Sequence, residues 1–206
     1  QQSMELLERL GAVLSRLGRF QEAIEVWRRG IELAREQEDL EGLARLFALA
    51  ARAAWEGGDP KRGLELAQEG MRAVAGAPDS AGLADLYHET ARALFFNGER
   101  QQGTETVRTA LRMAEQAGAT RVQVEALISY GTFSDLPLVE TTAQLERAAE
   151  LAQSNRMLEQ EGRARNNVSL VYGLGLGRFD RTHQQIGRAL ETARETGNLA
   201  MQVFYG

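Results

Sequence analysis

Two arginine–aromatic pairs recur forty residues apart: Arg52 with Trp55, then Arg92 with Phe95. A guanidinium is a planar fork of donors that grips a carboxylate with two hydrogen bonds and stacks on aromatic faces. Such side chains at a fixed interval suit recognition of a carboxylate-bearing or acidic segment, or of a ring-containing small molecule. Catalytic patterns are missing. The histidines, His88 and His183, belong to no His-Glu-x-x-His or similar spacing that sets two ligands on one helical face, so no metal is expected. There is no cysteine, which removes disulfides, thiolate ligands and a cysteine nucleophile. Carboxylates are numerous but fall on amphipathic stretches, where a solvated face with i,i+4 ion pairs explains them. Gly173-Leu174-Gly175-Leu176-Gly177 lacks the preceding strand and the spacing of a dinucleotide loop. Thr132, Ser134 and Asp135 are polar groups in an irregular stretch, but nothing sets a base beside them. We therefore expect no enzyme, no catalytic residue and no cofactor.

The composition agrees. Across 206 residues the chain is 43% hydrophobic and 26% charged, with a formal net charge of −5, which excludes disorder. The acidic balance argues against direct nucleic-acid contact, because phosphate affinity comes from clustered Lys and Arg. No run approaches the ~20 apolar residues that span a bilayer, so a cytoplasmic protein without membrane contact is the expectation.

Positioning falls to a repeat of forty residues. Gly18-Arg19-Phe20, Gly58-Asp59-Pro60 and Gly98-Glu99-Arg100 are turns at that interval, and Gly177-Arg178-Phe179 copies the first of them. Apolar residues at helical spacing flank each turn, as in Leu6, Leu7, Leu10, Val13, Leu14 and Leu17 before Gly18, then Phe20, Ala23, Ile24, Trp27 and Ile31 after it. The predicted helices are 4–17, 20–37, 40–56, 60–75, 80–96, 99–117, 120–132, 139–154, 156–173 and 179–196, with another beginning at 198. Pro60 suits a first helical turn, Asp39 and Asn198 suit N-caps, and Thr120-x-x-Gln123 and Thr141-x-x-Gln144 fit the capping box. Gly118 and Gly197 suit helix ends. The units are 4–39, 40–79, 80–119, 120–155 and 156–197, and 198–206 opens a further helix. We expect a fragment of a longer array.

The first unit reads Leu7-x-x-Leu10-Gly11-x-x-Leu14, then Ala23-x-x-x-Trp27 and Gly30. It resembles the tetratricopeptide repeat, as do Tyr87-x-x-Thr90-Ala91-x-x-Leu94 with Gly103-x-x-x-Val107 and a smaller-residue version, Phe47-x-x-Ala50-Ala51 with Gly63-x-x-x-Ala67. The forty-residue period is longer than the usual thirty-four and the closing proline is missing. Long units of this kind are similar to the helical arrays of large bacterial LuxR-type and maltose-activator-type transcriptional regulators and related predicted ATPases. HEAT and armadillo repeats compete on period alone; the Leu-Gly and Ala-x-x-x-Trp spacing favours the tetratricopeptide pattern.

The resemblance implies an all-α, right-handed superhelical solenoid of antiparallel helix pairs, first helices lining the concave face. That face would carry Arg9, then Arg45, Arg52 and Trp55, then His88, Arg92, Phe95 and Phe96, then Asn166 and Asn167. Arg52 and Arg92 hold the same place in consecutive repeats, as do Trp55 and Phe95. Two readings stand. The cluster forms a ligand groove, or the aromatics fill gaps between repeats while the arginines pair with Glu on adjacent units. The expected function is a non-enzymatic scaffold of a larger regulator that binds a protein or peptide segment or senses a small-molecule inducer. The alternative is a structural spacer or a self-associating scaffold.

Overall fold

The computed structural model describes residues 2–197 together with 199, 202 and 203. Among these the fold is all-α, with ten α-helices and no strand: α1 Gln2–Arg16, α2 Phe20–Glu36, α3 Leu40–Glu56, α4 Pro60–Ala73, α5 Ala81–Phe96, α6 Arg100–Gln116, α7 Thr120–Phe133, α8 Leu138–Ser154, α9 Leu158–Leu170 and α10 Phe179–Glu195. The expected helix from 198, with Asn198 as its cap, lies outside the described residues apart from 199, 202 and 203. No helix among the described residues is long and apolar enough to cross a membrane.

Two compact units divide the chain, Gln1–Ala119 and Thr120–Gly206. In the first, α1/α2, α3/α4 and α5/α6 are antiparallel hairpins. First helices pack side by side, α3 on α5, while α2 packs on α3 and α4 on α5. The first and third hairpins close on a glycine facing a ring, the second on Gly63 against the Ala51 carbonyl. A Cβ on Gly11 would stand 2.3 Å from Trp27 Nε1, and the Trp27 indole N–H donates to the Glu8 carbonyl at 3.2 Å. Gly103 receives Phe95 in the same way, at 2.7 Å. The core between helices is Trp27, Leu46, Phe47, Leu66, Leu86 and Leu94, all fully buried.

Helix starts follow local chemistry. Asp39 Oδ1 accepts from Gly42 N at 2.8 Å, as expected, and Asp59 Oδ1 accepts from Arg62 N at 2.9 Å with Pro60 in the first turn of α4. Ser80 caps α5, and Glu41 of α3 also reaches that start, accepting from Gly82 N at 2.8 Å. Helix ends use a left-handed residue. Gly118 (φ 62°) and Gly197 (φ 66°) hold it without strain, whereas the same turn places Glu38 at φ 53° and Arg156 at φ 56°.

In the second unit, α7/α8 and α9/α10 are hairpins around a core that includes Leu145, Val168 and Tyr172. The capping boxes do not hold as read. Thr141 lies inside α8, whose N-cap position is Pro137, and Thr120 is the first helical residue of α7. The prolyl φ of −55° and ψ of 143° let the chain enter α8 four residues earlier than a Thr141 cap requires. The helix expected over 156–173 is shorter as an α-helix, because the left-handed Arg156 still belongs to the turn. Beyond Leu170 it continues as one turn of π-helix over Val171–Gly175. A π-turn takes an extra residue per hydrogen-bonded ring. Leu176 N bonds Val171 O at 3.0 Å, five residues back, and thereby absorbs the one residue by which this unit exceeds the others between Tyr172 and Gly177. The Gly-rich run is a packing device: Cβ atoms on Gly173 and Gly175 would lie 3.1 Å from Thr182 Oγ1 and from Leu138 Cδ2.

Candidate functional site

The first-helix layer of the first unit is held together by charge. Arg45 of α3 reaches Glu8 of α1, its Nε 2.9 Å from Oε2. About two turns on, Arg52 of α3 reaches α5: its Nε and Nη2 donate to Glu89 Oε1 at 2.9 and 2.5 Å, and Nη2 lies 3.4 Å from Asp85 Oδ1. The indole N–H of Trp55 donates to the other oxygen of Glu89 at 3.1 Å. Glu89 is 0% exposed. Burial by itself would raise its pKa, yet Arg52, His88 and Arg92 around it outweigh that and hold the carboxyl well below the ordinary range. The group is an anion locked between two repeats.

Above this anion lies a ladder of flat groups. The Arg92 guanidinium sits 4.0 Å from the centroid of Trp55, and Trp55 stacks on Phe96 with centroids 5.1 Å apart and planes inclined by 27°. Trp55, Arg52 and Arg92 are half-buried, and Phe96 is 43% exposed. Guanidinium over indole over phenyl is a rigid, amphipathic surface built from two consecutive repeats, with Phe96 as its open end.

Of the ten residues singled out from sequence, the structure brings Arg52, Trp55, Arg92 and Phe96 together. Two do not line a surface at all. His88 is fully buried beneath the cluster, its Nδ1 3.2 Å from Glu89 Oε1, because its place on α5 faces α3. Phe95 is buried in the α5/α6 crossing over Gly103; the ring aligned with Trp55 by the forty-residue interval is core, and its neighbour Phe96 takes the stacking role. Arg9 is exposed and pairs with Glu5 within α1 at 2.6 Å, and Arg45 is spent on Glu8. Asn166 and Asn167 lie on α9 in the second unit, where Asn167 Nδ2 donates to Thr132 Oγ1 at 2.9 Å. There too a first-helix rung exists, from Arg163 to Glu125.

Sequence reading allowed for a Glu on an adjacent unit as partner to these arginines but did not place Asp85 or Glu89 in the site. The available signal was an opposite charge 33 or 37 positions from Arg52, matching the 37 that separates Glu8 from Arg45. Asp85, His88 and Glu89 each offer one ligand atom, all within 4.8 Å of one another, the one such group of three among the described residues. The positive charge that serves them is the guanidinium of Arg52.

No family model matches the chain, and no curated protein matches it. Solved structures do. A Rap protein complexed with Competence and Sporulation Factor superimposes with a TM-score of 0.83 at 14% identity, over 98% of this chain and 57% of that one. A thermophilic TPR protein of Thermus thermophilus gives 0.66 at 24% identity over 98% of this chain and 96% of that one. A signal-transduction ATPase with a tetratricopeptide repeat sensor, from Pyrococcus horikoshii, gives 0.67 at 13% identity, over 94% and 30%. The chain thus spans little more than half of the Rap chain and under a third of the ATPase. At these identities the likeness shows the fold, a tetratricopeptide-like helical repeat.

Proposed function

We propose that the chain is a non-enzymatic binding scaffold of a larger bacterial regulator, and that its first-helix layer takes an extended protein or peptide segment, or a small-molecule inducer, on the surface made by Arg92, Trp55 and Phe96. The observation that carries this reading is the stacked ladder with a large exposed ring at its end. A ring left half open at the junction of two repeats supplies area for an apolar or planar group, with a guanidinium beside it for a carboxylate or carbonyl oxygen. The groups are already ordered, so a ligand need not immobilise them. The likeness to a Rap protein solved with Competence and Sporulation Factor, and to an ATPase whose repeats are described as a sensor, supports the same class of role.

The pairing of Arg52 with Glu89 and Asp85 favours the second reading, a structural spacer, for that part of the cluster. Because the two guanidiniums and two carboxylates cancel, the ligand is a segment with both an apolar and a polar group rather than a purely acidic one.

The test selects binders from a library of random extended peptides displayed on phage, then measures the best by titration calorimetry against Phe96→Ala and Arg92→Ala. Both positions are partly open, so helicity by circular dichroism should hold. We expect each change to weaken binding at least tenfold. Failure to select any peptide, or selected peptides that bind both variants as they bind the unchanged chain, overturns the proposal.

A further inference from the structure

The outer face of α1 carries Leu6, Leu10 and Val13, continued by Leu17 just past its end, all between 46% and 67% exposed. Their spacing of four, three and four is the a/d seam of a coiled coil. No other helix of the first unit shows such a stripe, because in the other repeats the same places are used inside the array. Forty residues on they are Leu46, Ala50, Ala53 and Gly57; eighty on, Leu86, Thr90, Ala93 and Asn97. There they meet the second helix of the preceding hairpin. Gly30 would push a Cβ to 3.2 Å from Leu46, Gly70 likewise from Leu86, and Gly57 from Phe20. Asn97 Nδ2 donates to the Pro60 carbonyl.

The comparison says what fits α1. A stacked hairpin comes close enough that only the first of the four positions is large. In α1 the other three are Leu10, Val13 and Leu17 where the stacked faces hold Ala or Thr, Ala, and Gly or Asn. A further repeat in the ordinary register would strike those side chains. A single helix facing a leucine seam would not, since the seam sets its own wider separation.

We propose that α1 pairs with α1 of a second copy of this chain, antiparallel about a twofold axis between Leu10 and Val13. This arrangement sets Leu6 against the partner's Leu17 and Leu10 against the partner's Val13, large against large along the whole seam. Charge agrees with it. Glu5, the exposed partner of Arg9 within α1, stands in the first turn and Arg16 in the last, on the same flank of the seam, so antiparallel pairing adds the Arg16 of the other copy beside each Glu5, twice by symmetry. The helix dipoles also oppose. The interface is isologous and closes at two. With 15 residues in α1, the contact is about 22 Å long, which points to a reversible dimer.

Sedimentation equilibrium of the whole chain between roughly 5 and 200 µM tests this, with circular dichroism as the control for folding. The chain should pass from monomer to dimer, and Leu10→Glu should weaken the dimer at least tenfold. Leu10→Ala with Val13→Ala and Leu17→Gly, which copies the internal repeats, should do the same. Arg16→Glu should weaken it by a smaller factor, and adding Glu5→Arg should restore it. A chain that stays monomeric throughout, as it would if α1 were a seat for another repeat or another protein, overturns the proposal. So does association that the α1 changes leave untouched.

Discussion

Removing Arg52 should cost more than removing the charge it neutralises. In Arg52→Ala, Glu89 loses two donors at 2.9 and 2.5 Å and keeps the Trp55 indole N–H. It remains an anion whose own surface is buried. Breaking a buried pair from this side costs about 3–5 kcal/mol. The positive field of Arg92 places the expected value near the lower end. In Glu89→Gln the stranded partner is Arg52, whose side chain is 22% exposed and still 3.4 Å from Asp85. The amide keeps an acceptor for the indole, so the loss is about 1–2 kcal/mol. The double change Arg52→Met with Glu89→Leu strands no charge and should cost less than Arg52→Ala alone. Urea denaturation followed by far-UV circular dichroism at pH 7 ranks the three by midpoint. Because the folded-state pKa of Glu89 is lowered, its contribution is complete above the unfolded carboxylate pKa of about 4.3 and is lost only as pH falls through the lower folded value. The gap between the unchanged chain and Glu89→Gln should therefore be flat from pH 7 to about 5 and close in stronger acid. If Glu89→Gln proved as costly as Arg52→Ala, or the double change the worst of the three, the idea of a locked anion would be wrong.

Trp27→Ala removes the ring under Gly11 together with its bond to the Glu8 carbonyl and should cost about 3–5 kcal/mol; a loss below 1 kcal/mol would contradict its place in the core. Glu38→Gly and Arg156→Gly relieve left-handed backbone at φ 53° and 56°, worth about 1–2 kcal/mol against 0.5–1 kcal/mol of added unfolded-state entropy. Each should raise the melting temperature, and a fall in both would refute the strain. Burial, then the Glu146 carboxylate accepting from its hydroxyl at 2.6 Å, pushes the pKa of Tyr172 up to about 12. A raised folded value means stability that is whole below the unfolded value of about 10 and drains as pH rises toward 12. Absorbance titration of Tyr172→Phe against the unchanged chain should show that the missing phenol was the last to ionise.

Helices and turns were legible because they depend on neighbours in sequence. Pro60, Asp39 and the glycines at 18, 58, 98 and 118 act within a few residues, and the stripe from Leu6 to Leu17 marks its helix wherever it packs. The capping reading at Thr141 failed since Pro137, four residues earlier, sets the backbone first. At the candidate site the interval of forty located Arg52, Trp55 and Arg92. It could not tell Phe95 from Phe96, adjacent residues a hundred degrees apart around one helix, of which one is core and the other open. Nor did it separate His88 from the surface, because burial there depends on how α3 and α5 approach. Glu89 was not singled out as the partner for a related reason: a carboxylate on an amphipathic helix is ordinarily solvated, and only the meeting of two repeats makes this one an interior ion.

The rungs between first helices have a bearing on how the array assembles. Arg45 and Glu8, and Arg52 and Glu89, belong to different hairpins, so these four charges are paired only across repeats. A lone third hairpin would present Glu89 and Asp85 to water without the Arg52 guanidinium, and its nucleation would gain nothing from that pair. The gain arrives only when a neighbour docks, which moves free energy out of the individual repeat and into the coupling between adjacent ones. In a one-dimensional description that is a large interfacial constant and a small intrinsic one. The first three repeats should then melt as one cooperative block, without fraying one hairpin at a time.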